Sequence, residues 1–188
     1  MRPLDRLFQK WRLRRAATCL PQPLRLIDIG ANQGELFQLL GGSLQAGFGV
    51  DPLLAETVAG PNFTVRPGYF PEVGPPGGDW DAVTLLAVLE HIPRDRQALV
   101  ASACFAALRP GGRAILTVPG RGVDSILAVL RFLRLVDGMA LGEHFGFDAR
   151  ETPQVFQAAG FRLLHYSRFQ LGLNHLFVFE KPGQPGPG

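Results

Sequence analysis

Leu4, Leu7, Phe8 and Trp11 recur at i, i+3, i+4 and i+7, the spacing that lines one face of a helix. Residues 3–19 therefore read as an amphipathic helix with a basic outer face, stopped by Pro21 and Pro23. The period then changes. Short apolar runs ending in glycine, proline or aspartate predict buried strands at LRLIDIG, AGFGVDP and NFTVRPG, with GELFQLLGG a helix capped near Gly41. A Pro/Gly loop from Gly68 to Asp79 leads into WDAVTLLAVLEHIP, a longer strand expected to leave its sheet near Glu90. Pro93 suits the first turn of the helix RDRQALVASACFAAL. LRPGGRAILTVPG gives a turn and a fifth strand, and SILAVLRFLRLV an apolar helix closed by Gly138. Thr152 and Pro153 suit the cap and first turn of a short helix ending at Gly160.

The last two apolar runs, FRLLHYSRF and NHLFVFEKP, are separated by only Gln170 to Leu173. A parallel crossover needs a dozen or more residues, so these strands must pair antiparallel. Alternating strands and helices followed by a hairpin predict an α/β fold: a doubly wound, mostly parallel, seven-stranded sheet with one reversed edge strand.

Composition supports a globular chain: 188 residues, 46% hydrophobic and 19% charged, suffice for one core. The longest uncharged stretch, residues 36–50, is shorter than the ~20 apolar residues of a membrane span and holds four glycines. Two cysteines exclude a disulfide scaffold or a four-cysteine metal site, and a cytoplasmic location is the expectation. Charge is uneven. Residues 1–25 hold seven cations against Asp5, a net +6, which leaves −3 for the rest. A nucleic-acid partner is therefore not expected for the body of the chain. The division expected is a basic helix over 1–23, a ligand-binding domain over 24–181 and a disordered tail over 182–188.

The chemistry concentrates at strand ends. Gly30, directly after the first strand in DIGANQG, lets the backbone turn sharply against a ligand. A dinucleotide fingerprint fails here, because Asn32 and Glu35 replace its later glycines and Glu35 would repel a phosphate. Asp51 ends the second strand, where a carboxylate can accept two hydrogen bonds from a ribose diol or simply cap the next turn.

In order and spacing, LIDIGANQG, GVDP, DAVTLLAVLEHIP and LRPGGRAILTVPG resemble the motifs of class I S-adenosylmethionine-dependent methyltransferases, in particular the small metal-independent group with an LEH signature. GEHFGFDARETPQVFQAAGF is also similar to that group's segment before the sixth strand, so the resemblance covers about residues 24–181. It implies S-adenosyl-L-methionine as cofactor. Asp28, Gly30, Asn32 and Gly34 would then form the loop under its methionine part, Asp51 with Pro52 the ribose site, and Leu86 an apolar contact. After the third strand, relatives often place an acid for the adenine amino group; this chain has Gly68, Tyr69 and Phe70, which could stack on adenine or anchor the loop. Ala87 stands where such relatives often carry a glutamate facing the acceptor.

The sulfonium is a strong leaving group, so alignment and desolvation carry most of a direct in-line transfer. A hydroxyl acceptor would still profit from a base, and His91 and His144 are the candidates. No cluster has metal-ligand spacing, so no metal is expected. The acceptor expected is a small, aromatic or lipophilic molecule. Residues 125–136 are apolar nearly all round, which suits burial, in part within a homodimer, or a lid over such an acceptor. Residues 1–20 suit either packing on the sheet or peripheral contact with an anionic membrane. The competing reading is a non-catalytic S-adenosylmethionine-binding or partner-binding protein on the same fold.

Overall fold

A computed structural model describes residues 3–22, 24–120 and 148–183. The helix expected over 125–136, His144 and the last five residues lie outside the described residues. The elements are α1 (Pro3–Ala17), β1 (Leu24–Ile29), α2 (Glu35–Leu40), β2 (Leu44–Asp51), β3 (Val58–Ala59), β4 (Phe63–Pro67), β5 (Trp80–Leu86), α3 (Arg94–Ala107), β6 (Leu108–Pro119), α4 (Thr152–Ala158), β7 (Arg162–Phe169) and β8 (Asn174–Glu180).

They form one sheet of eight strands in the order β3-β4-β2-β1-β5-β6-β8-β7. Strands β4, β2, β1, β5 and β6 are parallel, and β8 runs antiparallel to both β6 and β7. The mostly parallel, doubly wound architecture is as expected, with two corrections. Val58–Ala59 adds an eighth strand, antiparallel to β4 and too short to leave a hydrophobic pattern. The reversed strand β8 does not lie at the edge: the hairpin inserts it between β6 and β7. Burial records this, because β8 is buried from Asn174 to Phe179 whereas β7 is exposed at most positions. Within β5, the strand leaves the sheet after Leu86 rather than near Glu90, since Ala87 takes a left-handed backbone, φ +60°. Thr152 is the first residue of α4 and Glu151 its cap.

The core lies on both faces of the sheet. One face packs Ile27, Leu85, Leu116 and Phe179 with α3 and α4, where Phe156 and Phe179 stack at 5.1 Å. The other packs Leu26, Ile115, Leu176 and Val178 under Ala16 of α1 and Phe37 of α2. Each fully buried side chain of this size contributes on the order of 1.5–3 kcal/mol.

Helix α1 turns a different stripe to the sheet. Leu7 is 58% and Trp11 46% exposed, while Ala16 and Leu20 are buried and Phe8, Arg12 and Leu13 are partly so. Two apolar stripes overlap at Phe8, and tethers select the second. Gln170 Nε2 donates to the Phe8 carbonyl at 2.8 Å, Arg15 to Ser167 Oγ at 3.3 Å, and Arg113 to the Cys19 carbonyl at 3.2 Å. The small Ala16 lets the helix approach the sheet at that phase.

Candidate active site

From β1 the chain winds outward through β2 to β4, and on the other side through β5 to β6. The strand order thus reverses between β1 and β5, which opens a crevice beyond their C-terminal ends, the place where such sheets bind ligands. The turn after β1 forms its floor. Gly30 has φ +77°, and a Cβ there would lie 2.3 Å from Val88 Cγ2, so both backbone and space demand glycine. Gly34 has φ +80°, with Phe63 2.8 Å from where its Cβ would be. Asn32 is also left-handed, φ +46°, a conformation asparagine tolerates better than most residues, and its side chain donates to Glu35 Oε1 at 2.8 Å.

Asp51 is 7% exposed and fastens this turn to the end of β2. Its Oδ2 accepts from the Asn32 amide at 2.8 Å and its Oδ1 from the Leu53 amide at 2.9 Å. Each carboxylate oxygen keeps a second lone pair for a ligand hydroxyl. Pro52 beside it is exposed. After β4, the Gly68 amide donates to the Asp51 carbonyl at 3.2 Å, which brings Tyr69 to the same rim. Tyr69 is 69% exposed, whereas Phe70 is 7% exposed and packs in the core. A free aromatic face is thus offered by Tyr69, and Phe70 is the anchor.

Asp28 sits on β1 opposite Thr84 of β5, whose hydroxyl donates to Asp28 Oδ1 at 2.5 Å. Burial pushes its carboxyl up to about 7 against the hydroxyl's opposing pull, and the negative charges of Glu35 and Asp51 push the same way. Three carboxylates therefore converge on one glycine turn. That field disfavours a phosphate and favours a ligand carrying positive charge.

The second wall is the turn Leu89–His91 that follows β5. Leu86 and Ala87 are half-buried at its start, and the Ala87 amide donates to the Thr117 carbonyl at 2.8 Å. His91 is exposed at its end. Glu90 is 2% exposed, and its Oε2 has no hydrogen-bond partner among the described residues. Burial raises its carboxyl to about 7, opposed by a backbone hydrogen bond and by the charge of Arg12. Arg12 reaches inward from α1, its Nε likewise without a partner, and desolvation lowers its own pKa. Thr117 Oγ1 is a third unpartnered buried group, on the β6 residue paired with Leu86.

Glu90, Arg12 and Thr117 are additions to the expected set. Glu90 was visible as the single acid in the apolar run AVTLLAVLEHIP. Arg12, four residues after Phe8 on a helix rich in arginine, carried no such signal. Among the described residues, no group of three His, Cys, Asp or Glu side chains is placed to hold a metal ion. Nor is any described helix long and apolar enough to cross a membrane.

Comparison with known proteins places the family and the fold. Residues 2–166 match the family described as a methyltransferase domain. A curated relative from Mycolicibacterium smegmatis, named a probable S-adenosylmethionine-dependent methyltransferase, is 34% identical over 107 residues. That match takes in 53% of this chain and 41% of the relative, so the chain spans about two fifths of that relative's length. Among solved structures, an S-adenosylmethionine-dependent methyltransferase from Mesorhizobium loti superposes with a TM-score of 0.66 at 15% identity, covering 88% of this chain and 95% of the other. The [4+2]-cyclase SpnF superposes at 0.69 with 12% identity over 91% and 80%. These two likenesses are of fold.

The sheet and its glycine-turn crevice define a Rossmann-like methyltransferase fold. The chain belongs to the class I S-adenosylmethionine-dependent methyltransferase family.

Proposed function

We propose that the crevice binds S-adenosyl-L-methionine and that the chain transfers its methyl group in line to a small, aromatic or lipophilic acceptor entering over the Leu89–His91 turn. The observation that carries this reading is the convergence of Asp28, Glu35 and Asp51 on the turn Gly30–Gly34. The cofactor supplies a methyl group on a cationic sulfonium, and an acidic crevice suits that charge. In this reading Asp51 takes the ribose hydroxyls with its free lone pairs, Tyr69 lies against the adenine, and Leu86 forms the apolar wall.

At the acceptor end, Glu90 is the candidate base. It is buried, its Oε2 is unpartnered, and a carboxyl near neutrality can accept a proton from a hydroxyl group. Arg12 would hold the resulting oxyanion. His91 on the same turn, and His144, remain the alternatives for that proton.

The direct experiment measures S-adenosylhomocysteine release across a panel of phenols, aliphatic hydroxyls, amines and carboxylates. Turnover confined to hydroxyl acceptors, with kcat reduced at least about a hundredfold in Glu90→Gln at unchanged cofactor affinity, is the expected result. Ala87, which lacks a side-chain polar group at the acceptor wall, favours the competing reading of a binding protein without turnover. Cofactor binding with no product on any acceptor class would establish that alternative.

A further inference from the structure

The outward face of α1 contradicts the usual pattern for a helix packed on a sheet. Leu7 and Trp11, one turn apart, are 58% and 46% exposed, and the exposed positions between and after them are Lys10 and Arg14. This apolar pair does not stand alone. Gln170, in the turn between β7 and β8, holds the Phe8 carbonyl at 2.8 Å, and the next residue, Leu171, is 97% exposed. Three large apolar side chains from two elements thus project at one corner of the molecule. That corner lies at the C-terminal edge of the parallel strands, because the turn 170–173 follows the end of β7 beside the end of β6, where the Gly120 amide donates to the Leu173 carbonyl at 2.8 Å. It is the edge on which the crevice opens.

We infer that this corner docks on an anionic lipid bilayer, with Trp11, Leu7 and Leu171 entering the interface and Lys10 and Arg14 lying among the headgroups. Charge selects this occupant. Lys10 and Arg14 are exposed beside the apolar pair, whereas Arg12 turns inward and Arg25 stacks on Trp80 at the start of β1; this local positive charge, on a chain whose residues 26–188 carry −3, orients the crevice edge toward the surface. Tryptophan is the side chain best suited to the boundary between headgroup and acyl chain, with its ring apolar and its N–H wet. A single apolar side chain on a surface is ordinary; two on the most cationic element with a third on the adjoining β7–β8 turn are not. The acceptor would then be a molecule dissolved in, or forming part of, that bilayer. This last step rests on the methyl-transfer reading, whereas the docking surface does not.

The test uses the full chain and vesicles of phosphatidylserine and phosphatidylcholine, with pure phosphatidylcholine vesicles as the neutral control. The expected result is sedimentation with the anionic vesicles that falls at least about tenfold when salt is raised from low to molar levels, and little binding to the neutral ones. Brominated acyl chains should quench the emission of Trp11, and Trp11→Phe should remove that quenching, because Trp80 is buried at 3% exposure. The triple change Leu7→Ser, Trp11→Ser, Leu171→Ser should abolish sedimentation while leaving the cofactor titration unchanged, since none of the three lies in the crevice. Equal recovery of the parent and triple-variant proteins would overturn the docking surface. So would salt-sensitive association without quenching, or a self-association of the free chain that the triple change abolishes. Vesicle binding by a chain that fails to bind cofactor would leave the surface standing and overturn the methyl-transfer reading.

Discussion

At the scale of single residues, the site rests on positions where only one or two side chains are sterically and electrostatically acceptable. Gly30→Ala meets two costs: a left-handed backbone, about 1–2 kcal/mol, and a Cβ pressed on Val88, about 1–3 kcal/mol. Denaturant unfolding should show a loss of roughly 2–5 kcal/mol, of which Val88→Ala in the same chain restores the steric part and not the backbone part. No restoration at all would mean that Val88 does not set the requirement. Asp51→Ala should weaken cofactor binding by about 1.5–3 kcal/mol, the range for hydrogen bonds to a charged group. The same change also frees the Asn32 and Leu53 amides, so the melting temperature of the ligand-free variant should fall as well. Unchanged affinity in calorimetry would remove Asp51 from the ribose site. Gly30 and Gly34 were legible as the glycines of a tight turn after a strand, and Asp51 as a strand-end acid for which turn capping stood beside ligand binding; it does hold the Asn32 and Leu53 amides. The split between Tyr69 and Phe70 was not legible, since two adjacent aromatics read alike until the loop decides which one turns inward.

At the scale of elements, the informative parts are α1 and the turn after β5. Periodicity located α1 but left its phase open, because apolar spacing cannot rank two stripes that share Phe8; side-chain tethers from β6, β7 and the 170–173 turn can. The LEH turn was legible as a motif, but neither the burial of Glu90 nor the approach of the Arg12 charge, from a helix 78 positions earlier in the chain, was. The burial of Glu90, which outweighs the opposing charge of Arg12, predicts a pH effect. Glu90 titrates near 4.5 when unfolded and at about 7 when folded, so the folded chain binds the proton more tightly across that window. Stability attributable to this group is therefore greatest below pH ~4.5, declines as pH rises to about 7, and is constant above. Glu90→Gln removes the penalty of burying the charge. Its melting temperature relative to the unsubstituted chain should rise between pH 5 and 7.5, by roughly 2–4 °C for each kcal/mol involved. Asp28 has the same sign and is present in both proteins, so it cancels in the comparison. A difference that stays flat across that range would contradict the assignment.

At the scale of the whole molecule, the fold was legible because every strand but β3 announced itself by a short apolar run, and helical periods marked the connections β1–β2 and β5–β6. The hairpin loop of four residues required the antiparallel step. Its position inside the sheet was not legible, since local pairing rules fix which strands are neighbours in a hairpin and leave open which of the two meets β6. In the proposed function, the reversal of strand order between β1 and β5 builds an acidic crevice for S-adenosyl-L-methionine. Calorimetric titration of the purified chain with S-adenosyl-L-methionine and with S-adenosylhomocysteine, at pH 6 and at pH 8, tests it most directly. One site for each is the expected result. The cationic ligand should gain affinity as Asp28 ionises with rising pH, while the demethylated ligand, which lacks the sulfonium charge, should gain less. No binding heat from either ligand at either pH, with a chain that melts cooperatively, would contradict the proposal.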